Sequence, residues 1–119
     1  MNYEDIKRIL EEYKNKLGIE EEVKIKLRDY KFRSALVNLK TKTIYINKML
    51  VMLGEEELIR YLILHELLHI KFRTKYHTEE FYKELYKFFH PEQLIKLSSR
   101  YVLLIIKIYQ KTNFSSNIK

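Results

Sequence analysis

Residues 58 to 70 read Leu58-Ile59-Arg60-Tyr61-Leu62-Ile63-Leu64-His65-Glu66-Leu67-Leu68-His69-Ile70. With Phe72 added, apolar side chains cover most of the circumference of a helix. Such a helix is stable only when neighbouring elements enclose it, so the segment from 55 to about 72 is predicted to be the buried centre of the domain. Two histidines and a glutamate are set into that apolar surface. Positions 65 and 69 lie one turn apart on the same face, so both imidazoles can reach a single metal ion, while Glu66 is rotated to flank it. Three polar groups in such a place need partners, and a metal with a bound water satisfies all of them together. A metal lowers the pKa of that water, and a carboxylate beside it can take the proton and pass it on to a leaving amine.

Upstream of this helix, Ile6, Ile9, Leu10, Tyr13 and Leu17 keep the helical period and Gly18 supplies a stop, which predicts an amphipathic helix over residues 3 to 17. Val23, Ile25 and Leu27 alternate with charged residues, as in a half-buried strand. Two further strands are expected, 34 to 39 and 43 to 47, joined through Lys40-Thr41-Lys42, making a small three-stranded antiparallel sheet. Downstream, Thr78 is a suitable N-cap followed by Glu79 and Glu80, and starts a helix running to about Phe89. Pro91 separates it from a last helix, about Glu92 to Lys111, which leads into a polar tail, residues 112 to 119. The fold class is α+β, one domain over residues 1–119, without internal repeats.

Composition narrows the chemistry. The chain has 119 residues and is 46% hydrophobic, enough for one core. It contains no cysteine, so a bound metal must be held by histidine or carboxylate. The N-terminus lacks the basic and apolar regions of a secretory signal, which suits a cytoplasmic protein. The apolar run Tyr101 to Ile106 is far too short to span a membrane. The net charge is +7, but lysines alternate with glutamates along nearly the whole chain, the pattern of a solvated surface. No arginine cluster or aromatic platform suggests nucleic acid as a partner. The apolar stretch Tyr101 to Tyr109 offers a surface for a homodimer through the C-terminal helix.

A catalytic zinc normally takes three protein ligands and leaves one position open. For the third ligand the sequence offers His77, Glu80 and Glu84. If the helix bearing the motif and the one after it form an antiparallel hairpin centred near Lys75, the level between His65 and His69 lies opposite residue 84. That geometry favours Glu84. His77 would require the chain to double back sharply after His69, and residues 70 to 76 contain no glycine to ease the turn. Glu80 lies further round its helix. Tyr76 and Tyr82 could each donate a hydroxyl to a developing oxyanion. An exposed edge of the strand 34 to 39 or 43 to 47 would hold an extended peptide by main-chain hydrogen bonds.

His65, Glu66 and His69, in a chain ordered as helix, small sheet, motif helix and following helix, resemble the zincin metallopeptidases. The small size is similar to that of the minigluzincins, soluble minimal relatives of membrane metallopeptidase catalytic domains. That resemblance implies one Zn2+ ion, Glu66 as general base, Glu84 as third ligand and a peptide or protein substrate. It also implies a latent form in which the C-terminal segment, Asn113 to Lys119, occupies the cleft. His77-Thr78-Glu79-Glu80-Phe81 resembles instead the SprT-like proteases, whose third ligand is a histidine with a phenylalanine four residues on, and which act on proteins bound to nucleic acid. The two resemblances imply one reaction and two different ligands.

Overall fold

The computed structural model describes residues 1–117. They divide into two compact units, Met1–Phe89 and a second beginning at His90, where one domain is expected from the sequence. In the first unit the elements run α1 (Tyr3–Leu17), β1 (Lys24–Arg28), β2 (Ala35–Asn38), β3 (Thr43–Asn47), α2 (Lys48–Met52), α3 (Glu56–Phe72) and α4 (Glu79–Leu85). The second unit is α5 (Pro91–Asn117), opened by a hydrogen bond from His90 N to Gln93 Oε1 at 2.8 Å.

Helix α1 starts on a reciprocal cap: Asp5 N donates to Asn2 Oδ1 at 2.9 Å and Asn2 N to Asp5 Oδ2 at 3.0 Å. It stops at Gly18, whose φ of 70° turns the chain left-handed at no steric cost. Its inward stripe, Ile6, Ile9, Leu10, Tyr13 and Leu17, is buried as the spacing requires, and the helix packs on α3. Arg60 of α3 bonds Glu12 of α1 at 2.9 Å, and the Tyr3 hydroxyl bonds Ile25 O of β1 at 2.6 Å. Helix α3 is buried along nearly its whole length, with Ile59, Ile63, Leu64, Leu67 and Leu68 fully enclosed. It lies across β2 and β3.

The sheet has the order β1-β3-β2, so β3 is central and both its isoleucines, Ile44 and Ile46, are fully buried. The pair β2 and β3 is antiparallel, with Val37 opposite Ile44 and Ala35 opposite Ile46, as expected from the short connection. The pair β1 and β3 is parallel, with Ile25 beside Ile44 and Leu27 beside Ile46, so the sheet is mixed and not wholly antiparallel.

Asn47 explains the difference. Between β1 and β2 the chain, residues 29 to 34, passes around the end of β3, where the buried Asn47 side chain receives it. Asn47 Nδ2 donates to Arg33 O at 2.9 Å and to Tyr30 O at 3.3 Å, and Asn47 N donates to Ser34 O at 2.9 Å. Asn47 Oδ1 accepts from Met49 N at 3.0 Å and thereby caps α2, a short helix that has no sequence period to announce it. One buried amide thus satisfies the crossing loop and the start of the next helix, and β1 is delivered to the far side of β3.

The later helices also depart from expectation. Helix α4 stops at Leu85, not near Phe89, and α5 continues through residues 112 to 117, part of the expected polar tail. Residues 118 and 119 lie outside the described residues. Ile95, Val102, Leu103 and Ile106 are exposed along α5, which includes part of the surface considered for a dimer. Among the described residues no helix is long and apolar enough to cross a membrane.

Candidate metal centre

Helix α3 carries His65 and His69 to one side of the first unit, with His65 Nε2 and His69 Nε2 3.3 Å apart. The third nitrogen comes from the connection after α3. Arg73 adopts φ 51° and ψ 42°, the left-handed conformation that ends a helix, although it is not glycine. For a residue with a Cβ this costs roughly 1–2 kcal/mol. Three hydrogen bonds offset the cost: Arg73 N to Ile70 O at 3.2 Å, Thr74 N to His69 O at 3.2 Å, and His69 Nδ1 to Thr74 O at 2.8 Å. The chain therefore reverses without a glycine and returns His77 to the motif, with His77 Nε2 3.1 Å from His65 Nε2. His65, His69 and His77 form a cluster whose ligand atoms all lie within 4.8 Å of one another.

These spacings fit a metal. Three nitrogens bound about 2 Å from a common tetrahedral centre stand about 3.3 Å apart. The tautomers fit as well. The Thr74 carbonyl can only accept, so His69 Nδ1 carries the proton and its Nε2 lone pair is free. His65 Nδ1 lies 3.2 Å from the Tyr61 hydroxyl, one helical turn earlier, and donation from Nδ1 to that oxygen frees its Nε2 in the same way. His65 Nε2 and His69 Nε2 then converge as bare lone pairs, which repel, and a cation at their focus removes the conflict.

Phe81 of α4 backs the cluster. It is fully buried, and its ring centroid is 5.1 Å from that of His65, 4.8 Å from His69 and 5.0 Å from His77. Thr78, the α4 N-cap, accepts from Phe81 N at 3.2 Å and fixes the helix immediately after His77.

Burial sets the electrostatics. It pushes the His65 imidazole down to about 3, with the neighbouring His69 and His77 adding to the effect, so the ring is neutral and a competent ligand. Burial also lowers His69, partly opposed by its bond to Thr74 O. Glu66, 8% exposed, is pushed up to about 7 by burial, and the Arg33 guanidinium acts against that rise. Burial raises the Tyr61 phenol.

Glu84, the ligand favoured by the sequence, is not in this cluster. Phe81 and Leu85 take the inward positions of α4, and Glu84 turns aside to bond Lys71 Nζ at 3.1 Å and Lys87 Nζ at 3.0 Å. These two ammonium groups hold its carboxylate below the usual range in spite of partial burial. Glu80 is exposed. Tyr76 is exposed, and Tyr82 stacks on Tyr86 with ring centroids 5.8 Å apart; neither lines the cleft beside the motif. One residue that motif reading passes over, Tyr61, sits one helical turn before His65, and that spacing is the signal that could have found it.

The cluster opens into a cleft of about 270 Å³. One wall is His65, Glu66, His69 and His77; the other includes Leu36 and Val37 of β2, one of the two edge strands of the sheet. Exposure rises from the buried His69 through His65 to the exposed His77, so solvent reaches the site from the His77 side.

Comparison with known proteins agrees with this geometry. Residues 3–96 match the YgjP-like metallopeptidase domain. The crystal structure of the metallopeptidase zymogen jannalysin of Methanocaldococcus jannaschii superposes with a TM-score of 0.73 at 34% identity, covering 90% of this chain and 96% of that one. The metallopeptidase zymogen abylysin of Pyrococcus abyssi gives a TM-score of 0.72 at 35% identity, covering 80% and 90%. Among curated sequences, the uncharacterized protein aq_aa15 of Aquifex aeolicus is 45% identical over 64 residues, 54% of this chain and 58% of that protein. The uncharacterized protein MJ0123 of Methanocaldococcus jannaschii is 42% identical over 66 residues, 56% and 60% respectively. The match thus spans about three fifths of these two curated relatives. On the extent of the domain match and of the structural similarity, the chain belongs to the YgjP-like metallopeptidase domain family.

Proposed function

We propose that the chain is a zinc-dependent endopeptidase in which His65, His69 and His77 hold the metal and Glu66 is the general base. The observation that carries this reading is the convergence of three imidazole nitrogens beside a buried carboxylate, at the floor of a cleft walled by a free strand edge. Cysteine is absent and all three proposed ligands are imidazole nitrogens, a donor set that suits zinc. When bound, the metal supplies the Lewis acidity that acidifies a water and polarises a scissile carbonyl.

The residues do the rest. A peptide laid along the outer edge of β2 is held extended by main-chain hydrogen bonds, which read no side chains and so permit varied sequences. The Tyr61 hydroxyl and the Thr74 carbonyl keep His65 and His69 in the ligating tautomer. Glu66, buried beside the two helix histidines, is placed to take a proton from the attacking water and return it to the leaving amine. Both solved relatives are zymogens. We infer that this chain too is made latent, with its C-terminal segment as the restraining element.

The test is Glu66→Gln, assayed for zinc content and for cleavage of an unfolded protein substrate, with and without removal of residues 112–119. Zinc should be retained, and hydrolysis by the shortened chain should fall by about 10²–10⁴-fold in the substituted protein. Equal cleavage by the wild type and the Glu66→Gln variant would end the reading of Glu66 as base.

A further inference from the structure

The cleft carries two cations that the metal centre does not use. Arg33 stands just before β2, Lys75 lies in the turn between His69 and His77, and both line the space beside the motif. Several basic residues elsewhere on this unit are matched: Arg60 with Glu12, Lys71 and Lys87 with Glu84, Lys42 with Glu21. Among the described residues, neither the Arg33 guanidinium nor the Lys75 ammonium has a carboxylate within ion-pair distance. Lys75 Nζ lies only over the Tyr76 ring, 5.4 Å from its centroid. Arg33 acts on Glu66 through its field without forming a pair. The segment that carries Arg33 is fixed, since its own carbonyl accepts from the buried Asn47 amide at 2.9 Å. The backbone is therefore held while the guanidinium is left available.

We propose that Arg33 and Lys75 make this cleft selective for peptides that bring a carboxylate. The proposal rests on the reading of the cleft as a peptide site. Main-chain pairing along β2 supplies affinity without discrimination, so selectivity must come from side chains that face the peptide. Apart from Glu66 and the histidines, the cleft lining is cationic or apolar. Glu66 occupies the metal side, and an acidic peptide group there would be repelled; a carboxylate placed at Arg33 meets a planar donor fork suited to two parallel hydrogen bonds. The carboxylate has two sources in a peptide, an Asp or Glu side chain or the chain terminus, and the chemistry at Arg33 is the same for both.

The experiment uses zinc-loaded Glu66→Gln protein, full-length and without residues 112–119, so that the restraining segment inferred above does not mask the cleft and bound peptide is not turned over. Fluorescence anisotropy compares three labelled hexapeptides of one apolar sequence: one with a central Glu and an amidated terminus, one with Gln and an amidated terminus, and one with Gln and a free terminus. Either carboxylate peptide should bind about fivefold tighter than the neutral one at low salt, as a partly exposed ion pair allows, and the advantage should shrink at high salt. Which of the two gains identifies the source. Adding Arg33→Gln and Lys75→Gln should abolish the advantage while leaving affinity for the neutral peptide unchanged, so the cleft is known to be intact. Equal binding of all three peptides, or an advantage that survives both substitutions, overturns the proposal and leaves the peptidase reading standing. Failure of every peptide to bind either form would overturn that reading and this proposal together.

Discussion

His65 and His69 stand on a buried helix, whereas His77 hangs from a turn that depends on one left-handed arginine. The first pair is placed by the helical period and by the fully buried residues around it, Ile63, Leu64, Leu67 and Leu68. The third nitrogen is placed by Arg73 at φ 51°, by the Thr74 carbonyl that bonds His69 Nδ1, and by the Thr78 cap that starts α4. One region is rigid because its packing is dense. The other is fixed by a few hydrogen bonds and returns the chain through a conformation that most residues avoid. A metal held by this cluster would have two ligands on the scaffold and a third on the solvent side.

Arg73 is where the contrast between helix and turn can be undone most severely. Proline there cannot reach positive φ and removes the N–H that bonds Ile70 O, so Arg73→Pro should cost about 3 kcal/mol and release His77. Zinc affinity measured by competition with a chelator should fall more than tenfold, with α3 still helical by circular dichroism. Glycine probes the same turn in the other direction. It adopts φ 51° freely, so Arg73→Gly should retain full zinc affinity and leave thermal stability unchanged or raised by roughly 1 kcal/mol. A loss of zinc in the glycine variant would mean that the arginine side chain, not the turn, places His77.

On the helix side, Tyr61 is the point to probe. Tyr61→Phe removes the hydroxyl 3.2 Å from His65 Nδ1 with little change in volume, and should weaken zinc by about tenfold without unfolding the protein. Unchanged zinc affinity would show that packing alone orients His65.

Glu66 adds a pH dependence on the same helix. Glu66 is raised in the folded state from an ordinary 4.5 to about 7, so folding favours its protonated form. The metal-free wild type should hold that contribution below pH 4.5 and lose it as the pH rises through about 7. Glu66→Gln is neutral throughout and has nothing to lose. Melting temperatures of the two metal-free proteins should therefore diverge in favour of the variant across that interval, and parallel curves would contradict the burial of Glu66.

The sequence is informative where structure follows from periodicity. The burial of α3, the shared face of His65 and His69, and the stripe and Gly18 stop of α1 all follow from residue spacing. The mixed sheet does not. Whether β1 lies parallel or antiparallel to β3 depends on a loop received by the Asn47 side chain, and an asparagine at a strand end does not declare its partners in advance. Helix α2 is hidden for the same reason, since its start is the other half of that amide's work. At the third ligand position, the absence of glycine between 70 and 76 argues against a reversal and turns the sequence reading towards Glu84. Arg73 makes the reversal through cap hydrogen bonds that only the folded chain reveals, and His77 is the side chain that joins the pair. Phe81 is visible in the sequence as the phenylalanine four residues after His77, and its burial against all three imidazoles is the physical basis of that spacing.

The metal centre is tested most directly by zinc stoichiometry, measured by elemental analysis of the wild type, His77→Ala and Glu84→Ala, purified identically. About one zinc per chain is expected in the wild type and in Glu84→Ala, whose lost carboxylate only joins Lys71 to Lys87, and most of it should be gone from His77→Ala. Zinc retained by His77→Ala and lost by Glu84→Ala, or no zinc in the reconstituted wild type, would contradict a centre built on His65, His69 and His77.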